Sequence, residues 1–229
     1  ASEMGTAMVE GYQGDSIGMN HGAACMKHFV GYSQTISGKD RTAAWISDVQ
    51  LREYFLPSFK AAIDAGAMSI MINSGEINGI PVHVNSYLLN DVLRDELGFE
   101  GMAVSDWEDI KYLYTRHHVA KDYKDAIAMA INAGIDMSMV PVDYEFPILL
   151  KELVEEGEVS MSRIDEATRR ILKMKEALGL FDQTIPSLED YPDFASSKHK
   201  SLALKVAEES IVLLKNENLL PLSQNNRIL

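Results

Sequence analysis

The chain has 229 residues, of which 46% are hydrophobic and 24% are charged, a composition typical of a globular protein with a buried core. Its net charge is −13 at pH 7 and its 21 basic residues form no run, so we expect no nucleic-acid partner. No apolar stretch reaches the roughly 18 residues of a membrane helix, so we expect no membrane span. An acidic surface is compatible with a neutral small-molecule partner.

Cys25 is the single cysteine, which excludes an internal disulfide bond and a CxxC metal site. Because it lies in the apolar run Ala23–Met26, we expect a buried, unreactive thiol. His117 and His118 have no partner at metal-ligand spacing, so we expect them in a solvated loop. We therefore expect neither a metal ion nor an organic cofactor.

Short apolar runs alternate with helical patterns along the first part of the chain. The runs are continuous, which is typical of strands buried on both faces of a parallel sheet. They span Ala24–Val30, Ala67–Asn73, Gly101–Val104 and Ile135–Val140. The helical patterns span Asp48–Ala65, Ser86–Leu97 and Tyr123–Ala133. We expect Pro57 to kink or restart the first helix, because proline has no backbone N–H, and Gly134 to end the third.

This repeated strand–helix order predicts a parallel α/β fold. A doubly wound sheet and a (β/α)8 barrel both satisfy the pattern. A complete barrel needs eight strand–helix units, and only about half of them are present here. On pattern alone, a barrel therefore requires further sequence.

Beyond the fourth predicted strand, the pattern changes. Two helices are predicted, over Glu145–Glu156 and Ser162–Leu178, and Ser160 or Ser162 can cap the second. Residues Asp182–Ser197 lose the periodicity and include prolines, which indicates a linker.

The last part of the chain returns to a helical pattern over Lys198–Ser210. A short strand or extended run is predicted over Ile211–Leu214. The final pair, Ile228-Leu229, has the apolar character of a strand that is just beginning. Since the chain also opens without an initiator Met, we expect truncation at both ends.

Polar side chains follow three of the predicted strands at the point where each strand ends. They lie in Lys27-His28-Phe29, Asn73-Ser74-Gly75-Glu76 and Ser105-Asp106-Trp107. Active sites of parallel α/β folds lie at the carboxyl ends of the strands, so we expect these groups to converge.

Asp106 directly follows a buried strand, where a carboxylate suits a glycosidase nucleophile, a metal ligand or a general base. The alternative is a cap for a helix over Trp107–Leu113, and the pattern alone favours neither. Trp107 is expected either to stack on a sugar ring or to plug the rim of the fold.

Lys27 and His28 are candidates for binding hydroxyl groups, and Lys27 also for Schiff-base chemistry. The pattern alone favours a salt-bridged lysine and a satisfied core histidine. Glu76 and Glu108 are candidate acids, although carboxylates in loops are more often solvated.

Taken together, these motifs resemble glycoside hydrolase family 3, the β-glucosidase and β-glucan exohydrolase group. The matching stretches are Lys27–Gly31, Gly98–Trp107, Ala133–Met137, Arg163–Asp165, Arg169–Leu172, Leu178–Phe181, Glu209–Asn216 and Leu220–Leu222. Each motif is weak by itself, but the set follows the family's order, covers nearly the whole chain and is highly specific.

The resemblance implies that Asp106 is the nucleophile, which forms a glycosyl-enzyme ester. It implies that Lys27 and His28 bind hydroxyls of the non-reducing sugar and that Trp107 flanks the neighbouring subsite. Ser74 stands where plant exohydrolases of the family have a tyrosine; it is a candidate substrate-binding residue, but the tyrosine's role does not carry over. The implied partner is a β-linked oligosaccharide.

The resemblance also implies an architecture. Residues 1–181 are expected to form the C-terminal half of a (β/α)8 barrel, residues 182–197 a linker, and residues 198–229 the start of an α/β sandwich domain. The preceding half-barrel, with its sugar-binding Asp and Arg, is expected ahead of this chain, and the acid/base glutamate beyond Leu229. We therefore expect the chain alone to fold poorly and to be inactive. A periplasmic or secreted location in a bacterium is typical of the family.

Other functions remain open at this point. A β-xylosidase or another exo-glycosidase of the same family would share these residues. The N-acetylglucosaminidases of the family place an acid/base histidine on a barrel loop, whereas the loop Gly31–Ala44 has none. A non-catalytic carbohydrate-binding fragment and a Lys27 Schiff-base aldolase are the alternatives from other classes.

Overall fold

The computed structural model describes residues 1–142, 144–182 and 187–223. The chain divides into two compact units, residues 1–182 and 183–229. The strands of the first unit are β1 (Cys25–Phe29), β2 (Ser69–Ile72), β3 (Glu76–Ile77), β4 (Ile80–Pro81), β5 (Met102–Trp107) and β6 (Met137–Met139). Its helices are α1 (Ser2–Gln13), α2 (Asp48–Gln50), α3 (Leu56–Asp64), α4 (Asp109–Thr115), α5 (Tyr123–Ala133), α6 (Glu145–Glu155) and α7 (Met161–Ala177), with π-helices over Leu51–Phe55 and Tyr87–Glu96.

The predicted parallel α/β fold is confirmed. Strands β1, β2, β5 and β6 form one sheet in that order, and each neighbouring pair is parallel. Val104 on β5 lies beside both Met71 on β2 and Met137 on β6, so the strands run in register and end at one edge of the sheet. The antiparallel hairpin β3–β4, which the sequence pattern did not predict, follows β2 at that edge.

Strand β5 extends beyond its predicted end at Val104. Its ladder with β6 continues to Trp107, which lies beside Met139. Asp106 is therefore part of the strand, and α4 begins only at Asp109. The alternative in which Asp106 caps a helix that starts at Trp107 is wrong, because continued strand pairing holds this segment extended.

The helix termini follow their sequence signals. Pro57 lies in the first turn of α3, directly after the π-helix over residues 51–55, so the predicted restart of this helix is confirmed. Proline has no backbone N–H to donate to the preceding turn, and the wider π-helical turn accommodates the missing hydrogen bond. Gly134 ends α5 with a φ of 124°, a backbone conformation that favours glycine. The Ser160 hydroxyl accepts a hydrogen bond from the N–H of Arg163 and caps α7.

The core combines strand and helix residues, among them the fully buried Phe29, Ile70, Ile72, Leu89, Leu93 and Ile127. Along β1, Met26 and Phe29 face this core, whereas Cys25 and Lys27 face away from it. Cys25 is therefore exposed, and the expectation of a buried thiol is wrong. An apolar neighbourhood in sequence did not reveal which face of the strand the thiol occupies.

Asp136, at the start of the fourth strand segment, anchors a buried charge cluster. It accepts hydrogen bonds from Arg94 at 2.9 Å, Arg163 at 2.8 Å and Arg170 at 3.0 Å. The N–H of Ala103 donates to the same carboxylate at 2.9 Å. The cluster ties α7 and the π-helix over residues 87–96 to the strands, with the Asp136 side chain fully buried and the three arginine side chains 11–19% exposed.

In the second unit, α8 spans Ser197–Ser210 and is capped by the Ser196 hydroxyl, which confirms the predicted helix. Residues 211–216 follow without helix or strand, and the backbone of Ile211 is extended. The predicted strand start at Ile228-Leu229 lies outside the described residues. Across the described ranges, no helix is long and apolar enough to cross a membrane.

Candidate active site

The carboxylate of Asp106 lies at the end of β5 and is surrounded by donors from neighbouring strand ends. Its Oδ2 accepts a hydrogen bond from the Ser74 hydroxyl at 3.0 Å and from Arg41 Nη2 at 3.4 Å. Nε2 of His28 lies 3.5 Å from the same oxygen. Oδ1 accepts from the backbone N–H of Trp107 at 2.6 Å. The ends of three parallel strands and one loop thus converge on a single carboxylate.

These donors decide the protonation state of Asp106. Burial alone raises the pKa of the carboxyl, but the hydrogen bonds from Trp107 and Ser74 lower it, and the positive charge of Arg41 lowers it further. The pKa of Asp106 consequently lies below its usual value. At neutral pH the group is an ionised carboxylate held in one orientation by charge-assisted hydrogen bonds.

His28 is held at the site as a neutral ring. Burial lowers the pKa of its imidazole more than the nearby Asp106 raises it. The ring stacks on Tyr32 with centroids 4.2 Å apart, and the Tyr32 hydroxyl donates to Asp40. A neutral imidazole fixed in this way can donate one hydrogen bond and accept another.

The structure brings together most of the residues selected at the strand ends. Ser74 is buried against Asp106, and His28 lies at its edge. Trp107 has 49% of its surface exposed beside the carboxylate, so its indole is available for contact with a bound molecule. Lys27 is not brought to this point: it is exposed on the opposite side of β1 from the core, and it forms no hydrogen bond or ion pair within the described chain.

The expectations about the neighbouring loops hold only in part. Glu76 lies in β3 rather than in a loop; its side chain is 30% exposed, and its Oε1 lies 2.8 Å from Nδ1 of His117. The side chain of His117 is only 7% exposed, so the expectation of a solvated loop is wrong for this histidine, whereas His118 is exposed as expected. Glu108 has a left-handed backbone, with a φ of 56°, and precedes α4. No group of three or more His, Cys, Asp or Glu side chains within residues 1–142, 144–182 and 187–223 is arranged to hold a metal ion.

The sequence patterns missed Arg41, His83 and Asp109. Arg41 comes from the long loop after β1 and reaches both Asp106 and Asp109. Asp109 is only 2% exposed, and its Oδ2 lies 3.8 Å from Nε2 of the buried His83. Their positions depend on how the loops return to the sheet edge, which spacing along the chain does not encode. The charged stretch that ends at Arg41 was the one available signal.

Residues 1–174 match the model of the glycosyl hydrolase family 3 N terminal domain. The chain belongs to glycosyl hydrolase family 3. The resemblance on which the sequence interpretation depended is therefore confirmed. Among curated relatives of this family 3 chain, the lysosomal beta glucosidase of Dictyostelium discoideum is 50% identical over 98% of the chain and 29% of its own length. The periplasmic beta-glucosidase of Salmonella typhimurium is 38% identical over 99% of the chain and 30% of its own length.

A solved structure supports the same relationship. The beta-glucosidase from Listeria innocua in complex with glucose superposes with a TM-score of 0.88 and 36% identity, over 96% of this chain and 31% of that one. The family 3 chain thus spans just under a third of the length of the relatives described here.

Proposed function

We propose that this family 3 chain carries the nucleophile of a retaining β-glycosidase, which removes terminal β-D-glucosyl residues from the non-reducing ends of oligo- or polysaccharides. The observation that carries the proposal is Asp106, an ionised carboxylate held by three hydrogen bonds at a strand end, with Nε2 of His28 3.5 Å away. Its relatives from Dictyostelium and Salmonella are named beta-glucosidases, and the Listeria enzyme was solved with glucose.

The proposed reaction has two steps. In the first, the Asp106 carboxylate attacks the anomeric carbon, the glycosidic C–O bond breaks, and an acid protonates the leaving oxygen. In the second, water attacks the same carbon, the acid's conjugate base takes the water's proton, and the Asp106 ester bond breaks. Two inversions give net retention. The lowered pKa of Asp106 favours this role, because the group must be ionised before it can attack.

The acid/base group is proposed to come from outside the described residues. Retaining enzymes place their two carboxyls about 5–5.5 Å apart, with the acid open to the leaving group. Asp109 has a pKa raised by burial to about 6, which is the property of a catalytic acid. However, with 2% of its surface exposed it has no access to a glycosidic oxygen, so Asp109 is not proposed as the acid.

The substrate contacts follow from the surroundings of Asp106. His28 is proposed to bind a sugar hydroxyl and Trp107 to flank the neighbouring subsite with its exposed indole. Ser74 is proposed to contribute mainly through Asp106, since its hydroxyl already donates to that carboxylate. A hydroxyl-binding role for Lys27 remains a proposal that requires its side chain to turn toward Asp106 from its present exposed position.

We further propose that residues 1–181 are the C-terminal half of a (β/α)8 barrel, followed by a linker over residues 182–197 and the start of an α/β sandwich domain at residue 198. The limited coverage of the relatives supports this arrangement, as does the open sheet: β1 and β6 each pair on one side only within the described residues. On this proposal, the catalytic polypeptide is longer than these 229 residues. A periplasmic or secreted location is proposed from the Salmonella relative.

Replacement of Asp106 in that longer polypeptide tests the proposal. Asp106→Ala is expected to lower turnover of p-nitrophenyl β-D-glucoside on the order of 10⁴-fold or more, because the covalent step is lost. Asp95→Asn, at an exposed aspartate on the π-helix over residues 87–96, is the control and should retain full turnover. Added azide should enter the vacated space in Asp106→Ala and give the α-glucosyl azide, a product of single inversion.

Other outcomes identify the alternatives. Turnover of the β-D-xyloside in place of the glucoside would indicate a β-xylosidase with the same nucleophile. If the parent protein binds the sugar without turning it over, and Asp106→Ala binds it equally well, the protein is a carbohydrate-binding protein. Borohydride trapping of substrate on Lys27 would indicate an aldolase.

A further inference from the structure

Arg41 is the cation closest to the proposed nucleophile, and it is held by more than that one contact. Its Nη1 donates to Asp109 Oδ1 at 3.1 Å, a shorter contact than the 3.4 Å from Nη2 to Asp106. The Arg116 guanidinium donates to the backbone carbonyl of Arg41 at 2.7 Å. The Arg41 guanidinium also lies 5.7 Å from the centre of the Tyr112 ring. Arg41 itself has a left-handed backbone, with a φ of 57°. This conformation is unfavourable for arginine and persists only where neighbouring contacts fix it.

Asp109 is the buried end of this chain of contacts. Its Oδ1 accepts a hydrogen bond from Arg41, while Oδ2 has no hydrogen-bond partner within the described residues. Nε2 of His83, 3.8 Å from Oδ2, has no hydrogen-bond partner there either. Burial lowers the pKa of His83 to about 3, so its ring is neutral, and a proton on Asp109 Oδ2 donated to Nε2 would satisfy both atoms after a small approach.

We propose that Asp109 is a positioning residue, which holds the Arg41 guanidinium against the carboxylate of Asp106. The proposal rests on Asp106 being the nucleophile. Asp109 is too deeply buried to touch a sugar, so its effect must pass through Arg41. The protonated form of Asp109 suits this role, because its remaining oxygen still accepts from Arg41 while its O–H faces His83.

The charged and polar groups around Asp109 are compatible with this assignment. They are Arg41 from the loop after β1, Ser74 from the end of β2, His83 from the turn after β4, Asp106 from β5 and Arg116 from the end of α4. Burial raises the pKa of Asp109 to about 6 despite Ser74 and Arg41, so a proton is available to it in weakly acidic solution. Arg41 acts more strongly on the pKa of Asp106 than Asp109 does directly.

The test compares Asp109→Ala and Asp109→Asn in the longer catalytic polypeptide. Asp109→Ala releases Arg41, so kcat/KM is expected to fall roughly 10- to 100-fold, mostly in kcat, as misplaced active-site groups do. With less positive charge against Asp106, the pKa of that carboxyl rises, and the acidic limb of kcat/KM should move to higher pH. Asp109→Asn keeps the oxygen that accepts from Arg41 and offers an N–H to His83. It should restore most of the activity and the original limb.

The double variant isolates the route of the effect. If Asp109 acts through Arg41, the double variant should lose no more kcat/KM than Arg41→Ala alone. If the two residues act independently, their losses should add in free energy. An unmoved acidic limb in Asp109→Ala, or additive losses in the double variant, would overturn the proposal and leave a structural role. Near-UV circular dichroism shows whether Asp109→Ala folds. If it does not, the pH profile of kcat/KM for Asp109→Asn decides, and an acidic limb displaced from that of the parent overturns the proposal. If a fluoroglycoside labels a residue other than Asp106, the proposed function fails rather than this inference alone.

Discussion

Replacement of Asp136 by asparagine is expected to destabilise the first unit severely. The side chain of Asp136 is fully buried and contacts Arg94, Arg163 and Arg170, whose side chains are 11%, 12% and 19% exposed. Asparagine keeps the shape but removes the negative charge and turns an N–H₂ group toward donors. Leaving buried cations without their partner costs about 3–5 kcal/mol.

This loss is large on the scale of domain stability. The free energy of unfolding of a domain of this size is about 5–15 kcal/mol, so Asp136→Asn removes roughly a fifth or more of the total. With a urea m-value of about 2 kcal/mol/M, a loss of about 4 kcal/mol lowers the midpoint of unfolding by about 2 M. Arg94 adds to the effect, because burial already lowers its pKa to about 10 and Asp136 is the main group that opposes this shift.

The measurement is urea unfolding followed by far-ultraviolet circular dichroism. Asp64→Asn is the matched control, since Asp64 pairs with Lys60 on the exposed surface of α3. Exposed pairs of this kind contribute about 0.2–1 kcal/mol, so the control should shift the midpoint by less than about 0.5 M. If Asp136→Asn unfolds at the same urea concentration as Asp64→Asn, the three arginines do not need the charge of Asp136 for the stability of the unit.

Two further predictions concern the active site and the core. Ser74→Ala removes a hydrogen bond that lowers the pKa of Asp106, so the acidic limb of kcat/KM should move to higher pH; an unmoved limb would show that this hydroxyl does not stabilise the ionised form. Gly101→Ala would place its Cβ 2.3 Å from the backbone carbonyl of Met68 and should cost about 1–3 kcal/mol in thermal or urea unfolding. Gly22→Ala, which meets no atom within 4 Å, is its control, and equal stability of the two variants would contradict the packing argument.

The part of the site that lies on strands could be predicted from the sequence. Parallel strands end at one edge of a sheet, so polar residues directly after apolar runs had to lie close together. This reasoning placed Ser74 and His28 with Asp106. It did not place Lys27, because one step along a strand reverses the side of the sheet that a side chain occupies.

The part of the site that lies on loops could not be predicted in this way. Arg41 reaches Asp106 only because the loop after β1 folds back over the strand ends, with Arg116 and Asp109 fixing its course. Asp109 has the sequence pattern of an acidic residue in the first turn of a helix, which gives no sign that its carboxylate is buried. Long-range contacts of this kind depend on packing, not on periodicity.

Identification of the residue that carries the covalent intermediate tests the central claim most directly. The longer polypeptide should be inactivated by 2-deoxy-2-fluoro-β-D-glucosyl fluoride, digested, and its labelled peptide sequenced by mass spectrometry. We predict one label per active site, on Asp106, and no label in the Asp106→Asn variant. A stoichiometric label on any other residue, or continued turnover by Asp106→Asn, would contradict the account.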